Sequence, residues 1–212
     1  MKSIAIYGAG GFGREVEMLI NKVNSNEQHY TFIGYFDDGI ENGTKVGEGE
    51  VLGGIAELNA YEEVIGLVIA IGDPKTKKRI VNSIKNDKVQ HQILIHPNVD
   101  IGKRVKIGDG SLICGGTIIT EDIEIGEHVI LNLACTVGHD VKIGSYCSFM
   151  PSVNISGEVI IEPNVFVGTG AQIINRKKIG EGSIIGAGAV VTKDIPSNCT
   201  AVGSPAKPIK FH

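Results

Sequence analysis

The sequence predicts two consecutive units, a small parallel α/β unit and a parallel β-helix. In residues 1–94, strand-like apolar runs alternate with segments that carry a helical apolar period. From Ile95 through Val191, every sixth residue is apolar without interruption. A six-residue period fits neither a helix face nor a hairpin strand, and it is typical of a parallel β-helix. We therefore expect domains at 1–94 and 95–212.

The N-terminal half predicts a small parallel sheet with helices on its faces, because strands and helices alternate along it. The pattern predicts strands at 2–7, 30–36 and 66–71, and helices at 12–24, at 54–61 and after Asp73-Pro74. Asp73 is a favourable N-cap residue, and Pro74 suits the first helical position.

The hexad pattern predicts a tube filled with its own side chains. The residue two positions before each apolar series member is also apolar or small, with Lys177 as the exception. Two of every six side chains therefore point inward and four point outward. Three hexads close a triangular coil of 18 residues, so this half contains about five coils. Since the interior is packed, any reaction must take place on the outer surface.

Composition excludes several classes of protein. The net charge of −4 disfavours a non-specific nucleic-acid binder. No apolar run approaches the ~20 residues that span a membrane, and the N-terminus does not resemble a signal peptide. The four cysteines have no CxxC spacing, so we expect no metal site. An acidic chain of this kind is expected in the cytoplasm, with reduced thiols.

A glycine-rich segment, Gly8-Ala-Gly-Gly-Phe-Gly13, follows the first strand and opens the first helix. In that context G-x-G-x-x-G indicates a loop whose backbone approaches phosphates. Asp37 and Asp38 end the next strand, where a ribose or base contact is expected. A mononucleotide ligand fits this half better than NAD, because 94 residues provide only one small sheet. The alternative is a tight packing turn.

Two basic clusters have open interpretations. Lys75, Lys77, Lys78 and Arg79 lie in the first turns of the third helix, where cations oppose the helix dipole. A bound phosphate would relieve this, or the cluster is a solvated face. The segment Arg176-Lys-Lys178 lies where the inner pattern fails, and it either meets coenzyme phosphates or forms an exposed bend.

His139 and Asp140 are the candidate catalytic pair. His139 lies two residues after the inward Val137 and therefore faces outward. Histidine exchanges protons near neutral pH, so it suits a general base, and Asp140 would stabilise the imidazolium. The pair works only if the backbone turns between the two residues, since neighbours on a strand point to opposite sides. The alternative is a solvated histidine beside an aspartate.

The combination of the glycine-rich unit, the hexads and the terminal segment Ala201-Val-Gly-Ser-Pro-Ala-Lys207 resembles the hexapeptide acyltransferases. The resemblance is to the NeuD, PglD, VioB and PerB type, which acetylates sialic acid or nucleotide-linked 4-amino sugars. It implies a left-handed β-helix and a homotrimer with its active sites between subunits. It also implies direct acetyl transfer from acetyl-CoA to the 4-amino group of a dTDP-, UDP- or GDP-linked sugar, with no metal.

The resemblance assigns roles to residues. His139 matches the base, Asp140 its acidic partner and Asn132 a polar residue near the reacting centre. The residues that match the nucleotide-sugar site are Gly10, Gly11, Phe12, Asp37, Asp38, Gly72 and Lys75. Those that match the acetyl-CoA site are Ser148, Gly157, Thr169 and Ala187.

Three other functions remain possible from the sequence. An O-acetyltransferase acting on sialic acid shares the scaffold but leaves the glycine-rich loop without a role. A non-catalytic β-helix scaffold would make both His139 and that loop dispensable. An NAD-dependent enzyme would account for the loop alone.

Overall fold

The computed structural model describes residues 1–25 and 27–212, which form two compact units, Met1–Pro97 and Asn98–His212. The first, or N-terminal, unit contains the three strands and three helices that the sequence predicts, in the predicted order, together with four short strands that it does not predict. Its helices are α1 (Gly11–Asn24), α2 (Ile55–Asn59) and α3 (Pro74–Ser83). Its strands are β1 (Lys2–Tyr7), β2 (Tyr30–Phe36), β3 (Lys45–Val46), β4 (Gly49–Glu50), β5 (Ile65–Ile69), β6 (Val89–His91) and β7 (Leu94–Ile95).

Four parallel strands form the sheet of the N-terminal unit, in the order β2-β1-β5-β6. Strands β1 and β5 lie in the middle of this sheet, and every residue of β5 is buried. Tyr7 and Leu67 share one core cluster with Leu58 of α2 and Ile80 of α3. Burial on both faces explains why these strands read as continuous apolar runs.

The antiparallel hairpin of β3 and β4 has no apolar pattern that predicts it. It is held by the buried carboxylate of Glu17 in α1, which accepts hydrogen bonds from the Tyr35 hydroxyl and from the backbone N–H of Glu48. Gly47 has a φ of +54°, and a Cβ on this residue would overlap the Glu17 carboxylate. The hairpin therefore depends on contacts between residues that are distant in the sequence.

The second unit is a parallel β-helix, with short strands stacked along three faces. Face 1 contains β8 (Asp100–Ile101), β11 (Ile118–Ile119), β14 (Thr136–Val137), β17 (Asn154–Ile155), β20 (Gln172–Ile173) and β23 (Val190–Val191). Face 2 contains β9 (Lys106–Ile107), β12 (Glu124–Ile125), β15 (Lys142–Ile143), β18 (Ile160–Ile161) and β21 (Lys178–Ile179). Face 3 contains β10 (Leu112–Ile113), β13 (Ile130–Leu131), β16 (Ser148–Phe149), β19 (Phe166–Val167), β22 (Ile184–Ile185), β24 (Cys199–Val202) and β25 (Lys207–Phe211).

The coil length is 18 residues, as the hexads predict: Ile118 pairs in parallel with Thr136, and Thr136 pairs with Asn154. Each corner is turned by one residue in the left-handed backbone conformation. This residue recurs at every sixth position from Arg104 to Gly188, and most of these residues are not glycine. A positive φ is unusual for such residues, so its regular recurrence is a property of the coil.

The interior contains the two inward positions of each hexad. Cys135, Phe149 and Val153 are 0% exposed. Inward hydroxyl groups also have hydrogen-bond partners. The hydroxyl of Thr117, for example, donates to the carbonyl oxygen of Asn132. Ile101 departs from the expected pattern, because it is 36% exposed in β8, the edge strand of face 1.

The last coil is shorter than the others. Ile184 of β22 pairs with Thr200 of β24, a spacing of 16 residues, after the apolar series has ended. Strand β25 then pairs with β24 in the antiparallel direction. Within the described residues, no helix is both long enough and apolar enough to cross a membrane.

Candidate active site

The strand order of the N-terminal unit reverses between β1 and β5, at the carboxyl ends of these two strands. The chain runs from β1 outward to β2 on one side, and β5 and β6 lie on the other side. Such a reversal of strand order is where parallel α/β sheets bind ligands. The loop after β1 ends at Gly10 and leads into Gly11 and Phe12 at the start of α1, and the loop after β5 carries Gly72. The structure therefore brings the two predicted loops to the same edge of this sheet.

The four glycines of the glycine-rich segment 8–13 serve two purposes. A Cβ on Gly13 would lie 2.1 Å from the carbonyl oxygen of Gly8, and Gly8 itself has a φ of +105°. These two glycines are needed for packing. A Cβ on Gly10 or Gly11 would meet nothing within 4 Å, so the backbone there is open at the start of α1. Open backbone at a helix N-terminus is suited to a phosphate.

Asp37 and Asp38 are already partly engaged by the protein. The Asp37 carboxylate accepts the backbone N–H of Ala9 at 2.8 Å, which ties the end of β2 to the glycine-rich loop. The Asp38 carboxylate accepts the Tyr7 hydroxyl at 2.7 Å and the backbone N–H of Ile55 at 2.8 Å. Burial, together with the Asp38 carboxylate, raises the pKa of Tyr7 well above its ordinary value.

Both aspartates also line a cavity of about 300 Å³. Ile40, Asn42 and Glu57 also line this cavity. A ligand in this cavity would use the carboxylate lone pairs that the protein contacts leave available.

The basic cluster on α3 is divided by the structure. Lys75 is exposed, three residues after Gly72, whereas Lys77 is only 1% exposed on the inner side of the helix. The solvated-face interpretation of this cluster is therefore wrong for Lys77. Asp73 caps the helix as predicted, because its carboxylate accepts the backbone N–H of Thr76 at 2.7 Å.

In the β-helix unit, His139 and Asp140 form a pair on an outer corner. Strand β14 ends at the inward Val137, and Asp140 is the left-handed corner residue with a φ of +58°. This turn lets the Asp140 carboxylate reach back to His139 Nδ1 at 2.8 Å. A carboxylate only accepts hydrogen bonds, so Nδ1 carries the hydrogen and Nε2 keeps a lone pair. The side chains of the two residues are 63% and 59% exposed, respectively.

Gly157, one coil later, makes room for the imidazole. A Cβ on Gly157 would lie 2.6 Å from His139 Nε2 and 2.7 Å from Cε1. Any side chain at this position would therefore displace the ring. From the sequence, Gly157 is expected only as a coenzyme contact. The 18-residue spacing from His139 is the signal that could have revealed its contact with the ring.

Asn132 lies apart from this pair. It follows β13 on face 3, and it is 6% exposed. Its side-chain oxygen accepts the backbone N–H of Leu133 at 2.7 Å. Among the hydrogen bonds of the described residues, none joins Asn132 to His139.

The four predicted acetyl-CoA residues lie on different parts of the coil. Thr169 and Ala187 are exposed and stand one coil apart, at the corner that follows face 3. Gly157 lies beneath His139, at the corner that follows face 1. Ser148 is 0% exposed on β16. A coenzyme on the surface of this chain could therefore meet Thr169 and Ala187 together, whereas the side chain of Ser148 is covered.

The cysteines are placed for packing. All four are buried and form no disulfide in the described structure. Burial raises the pKa of the Cys135 thiol to about 11, which keeps it protonated and poorly nucleophilic. Among the described residues, no group of three or more His, Cys, Asp or Glu side chains could hold a metal ion.

Comparisons with known proteins place the chain. Residues 3–84 match the family described as the PglD N-terminal domain, and residues 158–193 match bacterial transferase hexapeptide (six repeats). Over 216 residues, the chain is 35% identical to GDP-perosamine N-acetyltransferase of Escherichia coli O157:H7, an alignment that covers 99% of this chain and 97% of that protein.

Two solved structures superpose over nearly their whole length. PerB from Caulobacter crescentus, in complex with CoA and GDP-perosamine, is 27% identical with a TM-score of 0.89, and 99% of this chain and 98% of that chain are covered. The acetyltransferase domain of PglB from Neisseria gonorrhoeae FA1090, in complex with acetyl coenzyme A, is 27% identical with a TM-score of 0.88. That alignment covers 98% of this chain and 99% of the other.

The packed β-helix, with an outward-facing histidine on its corner, defines a hexapeptide-repeat acyltransferase. The chain belongs to the family of acetyltransferases that join a PglD N-terminal domain to hexapeptide repeats. Its β-helix is left-handed, and acetyl-CoA is its co-substrate. The resemblance drawn from the sequence is thereby confirmed.

Proposed function

We propose that this acetyltransferase acetylates the 4-amino group of a nucleotide-linked amino-deoxy sugar, with His139 as general base. The observation that carries the proposal is the His139–Asp140 contact of 2.8 Å on the outer corner of the β-helix. It fixes the tautomer that leaves Nε2 able to accept a proton. The full-length likeness to GDP-perosamine N-acetyltransferase supports an amine as the acceptor and favours GDP among the nucleotides.

The reaction needs no covalent enzyme intermediate. The lone pair of the unprotonated sugar amine attacks the thioester carbonyl carbon, and the C–N bond forms. His139 Nε2 takes the proton of the new ammonium, directly or through a water molecule, while Asp140 stabilises the imidazolium. A backbone N–H donates to the oxyanion. The C–S bond then breaks, and the leaving coenzyme thiolate takes that proton from the imidazolium, which restores the neutral His139.

The nucleotide is held by the N-terminal unit in this proposal. The diphosphate lies against the open backbone of Gly10 and Gly11, beside Phe12 and the Gly72–Lys75 segment. Asp37 and Asp38 accept N–H groups of the base in the adjoining cavity. His139 belongs to the other unit, of this copy or of a neighbouring copy in a homotrimer. We place the reaction in the cytoplasm.

The two binding functions can be tested separately by thermal unfolding. A ligand at 100 times its Kd stabilises the folded state by about 2.7 kcal/mol. We expect GDP and acetyl-CoA each to raise the Tm of the wild-type protein, and UDP or dTDP to raise it less than GDP. In Gly10→Val, the GDP shift is lost and the acetyl-CoA shift is retained, because the new side chain occupies the phosphate position.

Thr31→Val is the matched control, because it adds the same side chain at an exposed position on β2. This variant should respond to both ligands as the wild type does. A GDP shift that persists in Gly10→Val would remove the glycine-rich loop from the site. If acetyl-CoA gave no shift with the wild type, the acetyl-transfer mechanism would fail.

A further inference from the structure

One corner of the β-helix carries a charged residue in each of five successive coils. This charged corner, between faces 1 and 2, consists of Arg104, Asp122, Asp140, Glu158 and Arg176. All five are left-handed corner residues, spaced by 18 positions, so they stack directly above one another. The backbone N–H of Glu158 donates to the carbonyl oxygen of His139 at 2.8 Å, which places Glu158 immediately beside the catalytic pair.

Arginines form ion pairs with the acidic residues in the coils before and after Asp140. On the preceding side, Arg104 contacts Asp122 at 2.5 Å and Glu121 at 3.0 Å, and it lowers the pKa of Asp122. On the following side, Arg176 Nε donates to Glu158 Oε1 at 3.0 Å. Of the three acids at the charged corner, Asp122 and Glu158 therefore pair with arginines, whereas Asp140 pairs with His139.

The orientation of the ring makes Glu158 the critical neighbour. Nδ1 points to Asp140, whereas Nε2 lies against Gly157, the residue that directly precedes Glu158. An unrestrained carboxylate at Glu158 would stabilise an imidazole protonated on both nitrogens, since an opposite charge favours the charged form. Such an imidazolium has no lone pair left to accept the proton of the amine.

We propose that Arg176 is a positioning residue of the acetyl transfer, which holds the Glu158 carboxylate away from His139 Nε2. This inference rests on the proposed role of His139 as the base. It assigns Arg176 a function within its own chain, through the contact to Glu158, and not a contact with the coenzyme phosphates. The effect of Arg176 on turnover must therefore depend on the charge of Glu158.

Four variants test this dependence by steady-state kinetics. We expect Arg176→Gln to lower kcat about 3- to 10-fold with unchanged KM for acetyl-CoA. This is the effect expected when the Glu158 carboxylate loses its arginine and lies near the base as an unpaired negative charge. Glu158→Gln alone should stay close to the wild type, and the double variant should recover the wild-type kcat. Lys178→Gln is the control. It removes a cation that pairs with Glu162 at 2.6 Å between the same two coils on face 2, so it should leave kcat unchanged.

A chemical measurement tests the same point without acetyl transfer. Diethyl pyrocarbonate acylates the unprotonated imidazole, and peptide mass spectrometry reports the rate at His139. We expect this rate to fall in Arg176→Gln and to recover in the double variant. If the wild type transfers no acetyl group, the proposed function fails while this comparison still tests the role of Arg176.

Three results would overturn the inference. A double variant as slow as Arg176→Gln would show that Arg176 does not act through Glu158. A raised KM for acetyl-CoA with unchanged kcat would place Arg176 on the coenzyme. Equal acylation rates at His139 in the wild type and in Arg176→Gln would show that Glu158 does not reach the ring.

Discussion

Replacement of His139 by alanine is expected to lower kcat by about 10²- to 10⁴-fold, the usual contribution of a general base. The reason is the loss of Nε2, the nitrogen that the contact with Asp140 leaves able to accept a proton. The Tm shift caused by acetyl-CoA should persist, because the variant removes a proton acceptor and leaves the rest of the surface intact. Steady-state release of the coenzyme thiol measures kcat.

His29→Ala is the matched control for this variant, since it removes an exposed imidazole from the N-terminal unit. Its kcat should equal that of the wild type. A wild-type kcat in His139→Ala would refute the assignment of the base. Loss of the acetyl-CoA shift in His139→Ala would point to a binding role instead.

The second large effect is expected at Gly157. In Gly157→Ala, the new Cβ would lie 2.6 Å from His139 Nε2, so the ring must move. No positive φ is involved at this position, so the backbone accepts alanine. A displacement of about 1 Å at a reacting group can reduce turnover 10²-fold, and we expect a fall in kcat of about 10- to 100-fold.

Asn175→Ala provides the control for Gly157→Ala. Asn175 occupies the same corner position one coil later and is exposed, so its truncation should not change kcat. An unchanged kcat in Gly157→Ala, with a raised KM for acetyl-CoA, would mean that Gly157 contacts the coenzyme and does not position the ring.

Local patterns in the sequence predict most of the fold. Asp73 and Pro74 mark the start of α3, and the structure confirms it at Pro74. The hexads predict the 18-residue register that joins Ile118 to Thr136. These features are visible because each depends on a few neighbouring residues or on a strict period. From the sequence, the His139–Asp140 pair requires a backbone turn between the two residues, and the φ of Asp140 confirms that turn.

The remaining features depend on residues that meet only after folding. Glu17 is buried because Tyr35 and the hairpin turn satisfy its carboxylate, and no local pattern encodes that contact. Lys77 resembles its exposed neighbours in sequence, yet it faces the inside of the unit.

The charged corner is partly visible in the sequence and partly not. Arg176 pairs with Glu158 one coil away, at the spacing that the hexads already define. Alignment of the sequence in steps of 18 residues would have placed Glu158 and Gly157 beside the His139–Asp140 pair. The direction of each side chain still required the structure.

The identity of the product tests the proposed reaction most sharply. Wild-type protein is incubated with acetyl-CoA and GDP-perosamine, and the nucleotide sugar is analysed by tandem mass spectrometry. We expect one added acetyl group, located on the 4-amino nitrogen as an amide. An unmodified nucleotide sugar, or an acetyl group on a sugar hydroxyl, would contradict it.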